Sequence, residues 1–327
     1  MIEKKDLRIV FMGTPEFAVG TLEALVEGGY QVVAVVTQPD KPVGRHGSVL
    51  VPSEVKKYAL QKGIPVLQPE KMKDPEFVRQ LQEYKADLQV VVAFRMLPEV
   101  VWAMPKFGTF NVHAALLPQY RGAAPINWAV INGETVTGVT TFFLDHDIDT
   151  GKVILKRTFD IPDDADVEYV YDGLMKLGAE AAIDTIERIR EGDGHVEAIA
   201  QEEMMDGASL KPAPKIFKDT CRIDWSQPSK RIYDFVRGLS PYPGAWTTIS
   251  QVGDGEEVVV KIYKTTKCPT AGQRMTPGTL MVEKGKLLVA TGDGMLQVEQ
   301  LQKAGKKRMD ATAFINGMHD IEACSFV

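Results

Sequence analysis

Apolar and polar residues alternate in blocks along the first two thirds of the chain, with spacing that switches between strand-like and helix-like. Short, continuously apolar runs predict buried strands at residues 7–12, 32–37, 64–67, 88–93, 107–112 and 139–144. Apolar residues three or four apart predict helices at residues 17–27, 53–62, 74–84, 125–132 and 167–191. Strands that alternate with helices in this way predict an α/β fold with a doubly wound, mainly parallel sheet. Residues 153–159 are expected to extend that sheet in antiparallel fashion.

The pattern changes at residues 205–214, where a glycine and two prolines predict a linker. A further helix is predicted at residues 229–239. Short strand-like runs then follow at residues 246–249, 258–265, 287–290 and 295–302. Short β-runs at this spacing predict a small barrel or sandwich. We therefore expect a first domain at residues 1–204, the linker at 205–214 and a second domain at 215–327.

The composition is that of an ordinary globular protein. The chain has 327 residues, of which 44% are hydrophobic and 25% charged. No apolar run approaches the roughly 18 residues that a membrane span needs, and the N-terminus resembles neither a signal peptide nor a transit peptide. The three cysteines, Cys221, Cys268 and Cys324, are scattered, which argues against a disulfide framework and against a zinc site. We expect a cytoplasmic protein without a metal.

The net charge of −6 is unevenly distributed. Residues 1–210 contain 21 Lys/Arg and 32 Asp/Glu, a net charge of −11, whereas residues 211–327 contain 17 and 12, a net charge of +5. The densest basic cluster comprises Lys303, Lys306, Lys307 and Arg308. A basic second domain suggests a polyanionic partner such as nucleic acid. An unevenly charged, solvated surface would give the same totals, so charge alone leaves both interpretations open.

Polar side chains end the strand predicted at residues 107–112. Asn111 and His113 are two residues apart, so they lie on the same face of that strand. Ligands of open α/β sheets bind at the carboxyl ends of strands. A second polar segment, ending at Asp149, follows about one βαβ unit later. An amide, an imidazole and a carboxylate suit acyl transfer, because they can stabilise an oxyanion, move a proton and orient the imidazole.

These two segments resemble the folate-dependent formyltransferases. That family carries its chemistry on an Asn-x-His pair and on an Asp before Thr-Gly, which Asn111, His113 and Asp149 match. Ala115 departs from the family, which usually has Ser before Leu-Leu-Pro. Further matching motifs lie at residues 10–18, 37–45, 116–118, 121–125, 223–225 and 237–245. Together they extend the resemblance over nearly the full chain, toward the members that formylate methionyl-tRNA.

The resemblance implies a Rossmann-like catalytic domain, an OB-like β-barrel after it, and a monomer. It also implies 10-formyltetrahydrofolate as formyl donor, initiator methionyl-tRNA as acceptor, and catalytic roles for Asn111, His113 and Asp149. The residues expected at the folate are Arg95, Met96, Leu97, Ala115, Leu116, Leu117, Pro118 and Asp147. The residues expected at the tRNA are Lys41, Arg45, Lys303, Lys306, Lys307 and Arg308. For Arg95, a side chain that only reaches solvent is an equal alternative.

Two other kinds of function stay open at this point. A formyltransferase with a small-molecule acceptor, or a formyltetrahydrofolate hydrolase, would share the three catalytic residues but would not need the basic second domain. A non-catalytic RNA-binding protein would keep its function when Asn111, His113 or Asp149 is substituted.

Overall fold

The structure, a computed structural model, describes residues 1–44, 49–251, 257–268, 275–318 and 320–327. The chain forms two compact units. The first unit comprises Met1–Gly122, Val136–Asp160 and Tyr171–Pro212. The second unit comprises Ala123–Thr135, Ile161–Val170 and Ala213–Val327. Two short segments that precede residue 171 thus cluster with the second unit, and the continuous domain bounds expected from the sequence remain a proposal.

A seven-stranded sheet forms the centre of the first unit. The strands up to residue 160 are β1 (Arg8–Gly13), β2 (Gln31–Val36), β3 (Lys41–Val43), β4 (Val49–Val51), β5 (Val66–Leu67), β6 (Leu88–Val92), β7 (Thr109–His113), β8 (Val136–Phe143) and β9 (Val153–Asp160). The order in the sheet is β5-β2-β1-β6-β7-β8-β9. The first five of these strands are parallel, while β8 and β9 are antiparallel to their neighbours. The predicted α/β class with a mainly parallel sheet is confirmed.

Helices connect the strands much as the apolar spacing predicts. They are α1 (Glu16–Glu27), α2 (Glu54–Gln61), α3 (Pro75–Glu83), α4 (Glu99–Trp102), α5 (Pro125–Ile131) and α6 (Val167–Glu191). The side chain of Ser53 caps α2 by accepting a hydrogen bond from the backbone N–H of Lys56 at 3.1 Å. In the first unit, the short helix α4 was not expected, nor was the pairing of β3 with β4 where the sequence suggested a polar loop. Within the described ranges, no helix is both long and apolar enough to cross a membrane.

An antiparallel sheet forms the second unit. Its later elements are α7 (Ser229–Gly238), β10 (Ala245–Gln251), β11 (Glu257–Lys267), β12 (Leu280–Glu283), β13 (Lys286–Ala290), β14 (Met295–Lys303), β15 (Met309–Asp310), α8 (Ala311–Asn316) and β16 (Cys324–Phe326). The order is β12-β13-β14-β11-β10-β16, and β15 pairs with β14. A bridge between Thr279 and Ser325 links the two ends of this sheet. The link gives a closed arrangement consistent with a small barrel.

Candidate active site

β7 ends in polar residues and pairs with β8. This pairing determines which side chains lie on the same face of the sheet. Asn111 is paired with Phe142, and His113 is paired with Thr140. Directly paired residues of antiparallel strands point to the same side of the sheet, so these four side chains share one face. The ring of His113 meets that of Phe142 edge to face, with centroids 6.4 Å apart. The prediction that Asn111 and His113 share a face is confirmed.

His113 is buried, with 6% of its surface exposed, and its ring is held by one backbone contact. Its Nε2 lies 2.8 Å from the carbonyl oxygen of Tyr120. A carbonyl oxygen only accepts hydrogen bonds, so Nε2 must carry a proton. Nδ1 lies 3.8 Å from Oδ2 of Asp149, which is too long for a hydrogen bond but close enough for charge attraction. The carboxylate of Asp149 therefore lies beside the ring nitrogen that the backbone leaves unused.

Asp149 lies in a tight turn with left-handed backbone conformation, at φ 57°. Aspartate tolerates this conformation better than most residues. Its Oδ2 accepts a hydrogen bond from the backbone N–H of Gly122 at 3.0 Å, which ties the turn to the loop after β7. Two residues on, a Cβ at Gly151 would overlap the carbonyl oxygen of Phe143, so this position requires glycine. The Asp-Thr-Gly pattern thus has a direct structural reason.

The side-chain amide of Asn111 has an unsatisfied atom. Among the described residues its Oδ1 is buried and has no hydrogen-bond partner. Buried polar groups are nearly always paired, and an unpaired one costs about 1–3 kcal/mol. The oxygen and nitrogen of an asparagine amide exchange places by a half-turn of the amide. The side chain can therefore offer either a donor or an acceptor to an arriving substrate.

The loop after β7 is held by a hydroxyl from the neighbouring strand. Oγ1 of Thr140 donates to the carbonyl oxygen of Ala115 at 2.6 Å and accepts from the backbone N–H of Leu117 at 3.1 Å. Ala115, Leu117 and Pro118 are buried, whereas Leu116 is half-buried. Leu117 packs on Phe142 in a small apolar cluster. The sequence does not mark Thr140, because nothing in the loop motif points to a partner on another strand.

The residues expected at the folate after β6 differ in exposure. The guanidinium of Arg95 donates to the carbonyl oxygen of Glu70 at 2.8 Å and to that of Pro69, and burial lowers its pKa. Met96 is 66% exposed, while Leu97 is buried in the apolar core. Arg95 is thus engaged with backbone rather than solvent, and Met96 is the more accessible of the three side chains.

The remaining residue expected at the folate, Asp147, is exposed in the turn before Asp149. Its backbone N–H donates to the side chain of Asp145 at 3.2 Å. Thr150 donates to the same carboxylate at 2.7 Å. These short-range bonds shape the turn and leave the Asp147 side chain at the surface.

The first basic region expected at the tRNA follows β2. Both carboxylate oxygens of Asp40 accept hydrogen bonds from Lys56, at 3.0 and 2.8 Å, and Gln68 donates to one of them. These bonds, that from Lys56 first, hold the pKa of Asp40 below its ordinary value. Asp40 thereby fixes the start of the β3–β4 hairpin, on which Lys41 is exposed. Arg45 lies outside the described residues.

The second basic region lies in the second unit, around the turn that follows β14. Lys306, Lys307 and Arg308 are exposed there, and Lys303 is half-buried at the end of β14. The guanidinium of Arg308 also stacks over the ring of Tyr263, 4.3 Å from its centroid. The structure thus brings these four cations together in one turn.

One buried residue of the site has no sequence signal. The side chain of Gln201 is fully buried. Its Nε2 donates to the carbonyl oxygens of Asp149 and Gly151, each at 2.8 Å, and its Oε1 accepts from Arg121. No motif, cap or periodic pattern marks a lone glutamine in a short 3-10 turn.

In the part of the chain that the structure describes, no group of three His, Cys, Asp or Glu residues is arranged to hold a metal ion.

Solved structures share this fold at low sequence identity. HypX from Aquifex aeolicus, solved with tetrahydrofolic acid, is similar over 95% of this chain and 47% of its own, with a TM-score of 0.61 and 21% identity. An N-formyltransferase from Helicobacter canadensis, solved with folinic acid and dTDP-3-aminofucose, is similar over 91% of this chain and 99% of its own, with a TM-score of 0.63 and 20% identity. At such identity the likeness shows the fold alone.

Curated relatives are far more similar. Methionyl-tRNA formyltransferase of Parabacteroides distasonis is 60% identical, and its counterpart in Bacteroides fragilis 58%, each with 98% of both chains covered. The counterpart in Porphyromonas gingivalis is 47% identical with 97% of both chains covered. Residues 7–186 match the family model described as formyl transferase, and residues 215–319 match the formyl transferase C-terminal domain. On these grounds the chain belongs to the formyl transferase family.

Proposed function

We propose that this chain transfers the formyl group of 10-formyltetrahydrofolate to the α-amino group of methionine on initiator methionyl-tRNA, and so supports translation initiation. The observation that carries the proposal is the extent of the similarity. Relatives named methionyl-tRNA formyltransferase are 46–60% identical over at least 95% of both chains. The likeness therefore includes the basic residues 211–327 as well as the catalytic face.

The three polar residues suit the charge that develops in this reaction. When the amine attacks the formyl carbon, a carbon–nitrogen bond forms and the carbonyl oxygen becomes an oxyanion. Collapse of the oxyanion then breaks the bond between the formyl carbon and N10 of the folate, which leaves as tetrahydrofolate after it takes up a proton. The amide of Asn111 donates to that oxygen, and a protonated His113 stabilises it. Asp149 lies beside Nδ1 of His113, where it orients the ring. Directly or through water, it also helps to take the proton that the attacking amine must lose.

Two features support a folate as the donor. The buried oxygen of Asn111 lacks a partner among the described residues, as expected where a substrate completes the site. Met96 and Ile148 are 66% and 57% exposed, and each follows a strand of the sheet that carries His113. Large exposed apolar side chains beside a polar site suit a flat ring system. Structural neighbours from Aquifex aeolicus and Helicobacter canadensis were solved with folates.

The charge of residues 211–327 supports a tRNA acceptor rather than a small amine. Residues 211–327 carry a net charge of +5 on a chain whose total is −6. Phosphate contacts by lysine and arginine supply affinity that depends on salt and not on sequence. A small acceptor would gain nothing from the exposed turn that contains Lys306 and Lys307. We place the main tRNA anchor there, with Lys41 and Arg45 nearer the acceptor end.

A comparison of acceptors, each assayed separately, tests the proposal. Purified full-length protein is incubated with labelled 10-formyltetrahydrofolate and, separately, methionine-charged initiator tRNA, free methionine, a dTDP-amino sugar or no acceptor. We expect label on the charged tRNA, with little transfer to small amines and little formate released without an acceptor. Faster transfer to the amino sugar, or hydrolysis without an acceptor, would overturn the proposal. Asn111→Ala serves as the inactive control.

A further inference from the structure

Gln201 uses the whole hydrogen-bonding capacity of its buried side chain. Nε2 directs its two protons at the carbonyl oxygens of Asp149 and Gly151, each 2.8 Å away. Oε1 accepts two hydrogen bonds from Arg121, at 3.0 Å from Nε and 2.7 Å from Nη2. A fully buried polar side chain with complete pairing holds its neighbours in a defined geometry. Both segments that it joins belong to the active site.

These contacts close a ring. Arg121 is followed directly by Gly122, whose N–H donates to the carboxylate of Asp149 at 3.0 Å. Asp149 is thus held twice, by Gly122 at its side chain and by Gln201 at its carbonyl oxygen. Gln201 returns to Arg121 and completes the circuit. The ring links the loop after β7, the strand that ends at His113, to the turn after β8, which contains Asp149.

We infer that Gln201 is a positioning residue that fixes the carboxylate of Asp149 with respect to His113; the inference rests on the proposed formyl transfer. Asp149 has a left-handed backbone at φ 57°, which costs free energy even for aspartate, so hydrogen bonds from its surroundings help to hold it. The two donated hydrogen bonds from Gln201 enforce it on either side of Thr150. Without them the turn relaxes, and the carboxylate moves from its place beside Nδ1.

Gln201→Glu removes the hydrogen bonds that Gln201 donates and keeps those that it accepts. Glutamate keeps the side-chain volume and still accepts from Arg121, but it turns a carboxylate oxygen toward the carbonyl oxygens of Asp149 and Gly151. We expect kcat for formyl transfer to fall by about 100-fold, the usual effect of a misplacement on the order of 1 Å. KM for the folate and for the tRNA should change by no more than about twofold, because neither substrate is expected to contact Gln201. The matched control is Glu203→Gln, the reverse exchange at an exposed position of the same turn.

A double-mutant cycle distinguishes positioning from a general structural effect. If Gln201 acts through Asp149, Gln201→Glu should cost no more than about threefold further in an Asp149→Asn background. A full second 100-fold loss in that background would overturn the inference. So would a Gln201→Glu enzyme within about threefold of the wild-type kcat. Gln201→Met, which removes the donors without adding charge, is measured if the glutamate variant does not fold, and the same limits apply.

Amide hydrogen exchange at Gly122 provides a readout that does not depend on the reaction. In the variants this amide should exchange at least about tenfold faster than in wild type, because the carboxylate that accepts its hydrogen bond is displaced. Unchanged exchange would contradict the inference. If wild-type protein failed to formylate methionyl-tRNA while Gly122 exchange still responded to Gln201→Glu, the proposed function alone would fall.

Discussion

The backbone of Tyr120 connects the imidazole of His113 to Lys211, near the C-terminal end of the first unit. Its carbonyl oxygen accepts from Nε2 of His113 at 2.8 Å, and its N–H donates to the carbonyl oxygen of Lys211 at 2.7 Å. The side chain of the neighbouring Gln119 accepts a hydrogen bond from the backbone N–H of Lys211. The imidazole of His113 is therefore held by the loop after β7, and hydrogen bonds to Lys211 hold that loop in turn. One nitrogen of His113 is committed to the backbone, which leaves the other for chemistry.

His113→Ala should lower the rate of formyl transfer by at least about 100-fold, the usual scale for loss of a proton-transfer or oxyanion group. The measurement is kcat with charged initiator tRNA, with circular dichroism to show that the fold is kept. A variant that retained more than about a tenth of the wild-type rate would show that His113 does not carry the chemistry. Combining it with Asn111→Ala should cost less than the product of the single effects, since the two act on one oxyanion.

Asn111→Leu should separate activity from stability. The variant removes a buried amide oxygen that has no partner among the described residues and replaces it with an apolar group of similar size. We expect activity to fall by at least about 100-fold, while the free energy of unfolding rises by about 1 kcal/mol. His113→Leu is the matched comparison, and it should lose stability because it removes the hydrogen bond from Nε2 of His113 to the carbonyl oxygen of Tyr120. Urea denaturation of both variants measures the difference. Equal losses of stability would mean that the Asn111 amide is satisfied in the free protein.

Thr140→Val should loosen the loop after β7. Valine has the shape of threonine but leaves the carbonyl oxygen of Ala115 and the N–H of Leu117 without the hydroxyl that joins them. We expect a loss of about 1–3 kcal/mol in the free energy of unfolding and weaker folate binding by calorimetry. Thr140→Ser keeps the hydroxyl and should keep most of the folate affinity. If serine and valine weakened binding equally, the methyl group and not the hydroxyl would matter.

Lys306→Ala together with Lys307→Ala should weaken tRNA binding and reduce its dependence on salt. Each lost phosphate contact lowers the slope of log K against log salt concentration by about 0.9 for duplex regions. Affinity is measured by gel shift at several salt concentrations, and folate affinity should not change. Lys73→Ala, an exposed lysine of the first unit, is the control. An unchanged slope in the double variant would place the tRNA anchor elsewhere.

The sequence predicted most of the fold because buried strands and amphipathic helices leave a periodic record. The ends of α6 at Val167 and Glu191 followed from such spacing. The β3–β4 hairpin did not, because its strands are three residues long and exposed, and one contains proline. The second unit was harder for the same reason: β12, β15 and β16 are short. Period-two spacing and the family resemblance were enough to select Asn111 and His113.

Other parts of the site could not be predicted from local pattern. Gln201 binds residues that are 50 and 52 positions away along the chain, and Thr140 binds a residue 25 positions away. Such contacts depend on how loops meet in three dimensions, and the residues that make them carry no distinguishing neighbours. The sequence could not predict that Leu97 is buried or that Arg95 contacts the backbone, because the exposure of a loop side chain depends on what packs beside it.

Because the hydroxyl that braces the active loop is on β8, residues 115 and 140 should vary as a pair. Where the family has serine before Leu-Leu-Pro, this chain has alanine, and Thr140 bonds the carbonyl oxygen of that alanine. A search that scores the loop alone would count Ala115 against this chain. Aligned relatives should then tolerate alanine at position 115 mainly when position 140 is threonine or serine, and serine at 115 should free position 140 to become apolar. If alanine occurred at 115 regardless of position 140, the two sites would be independent.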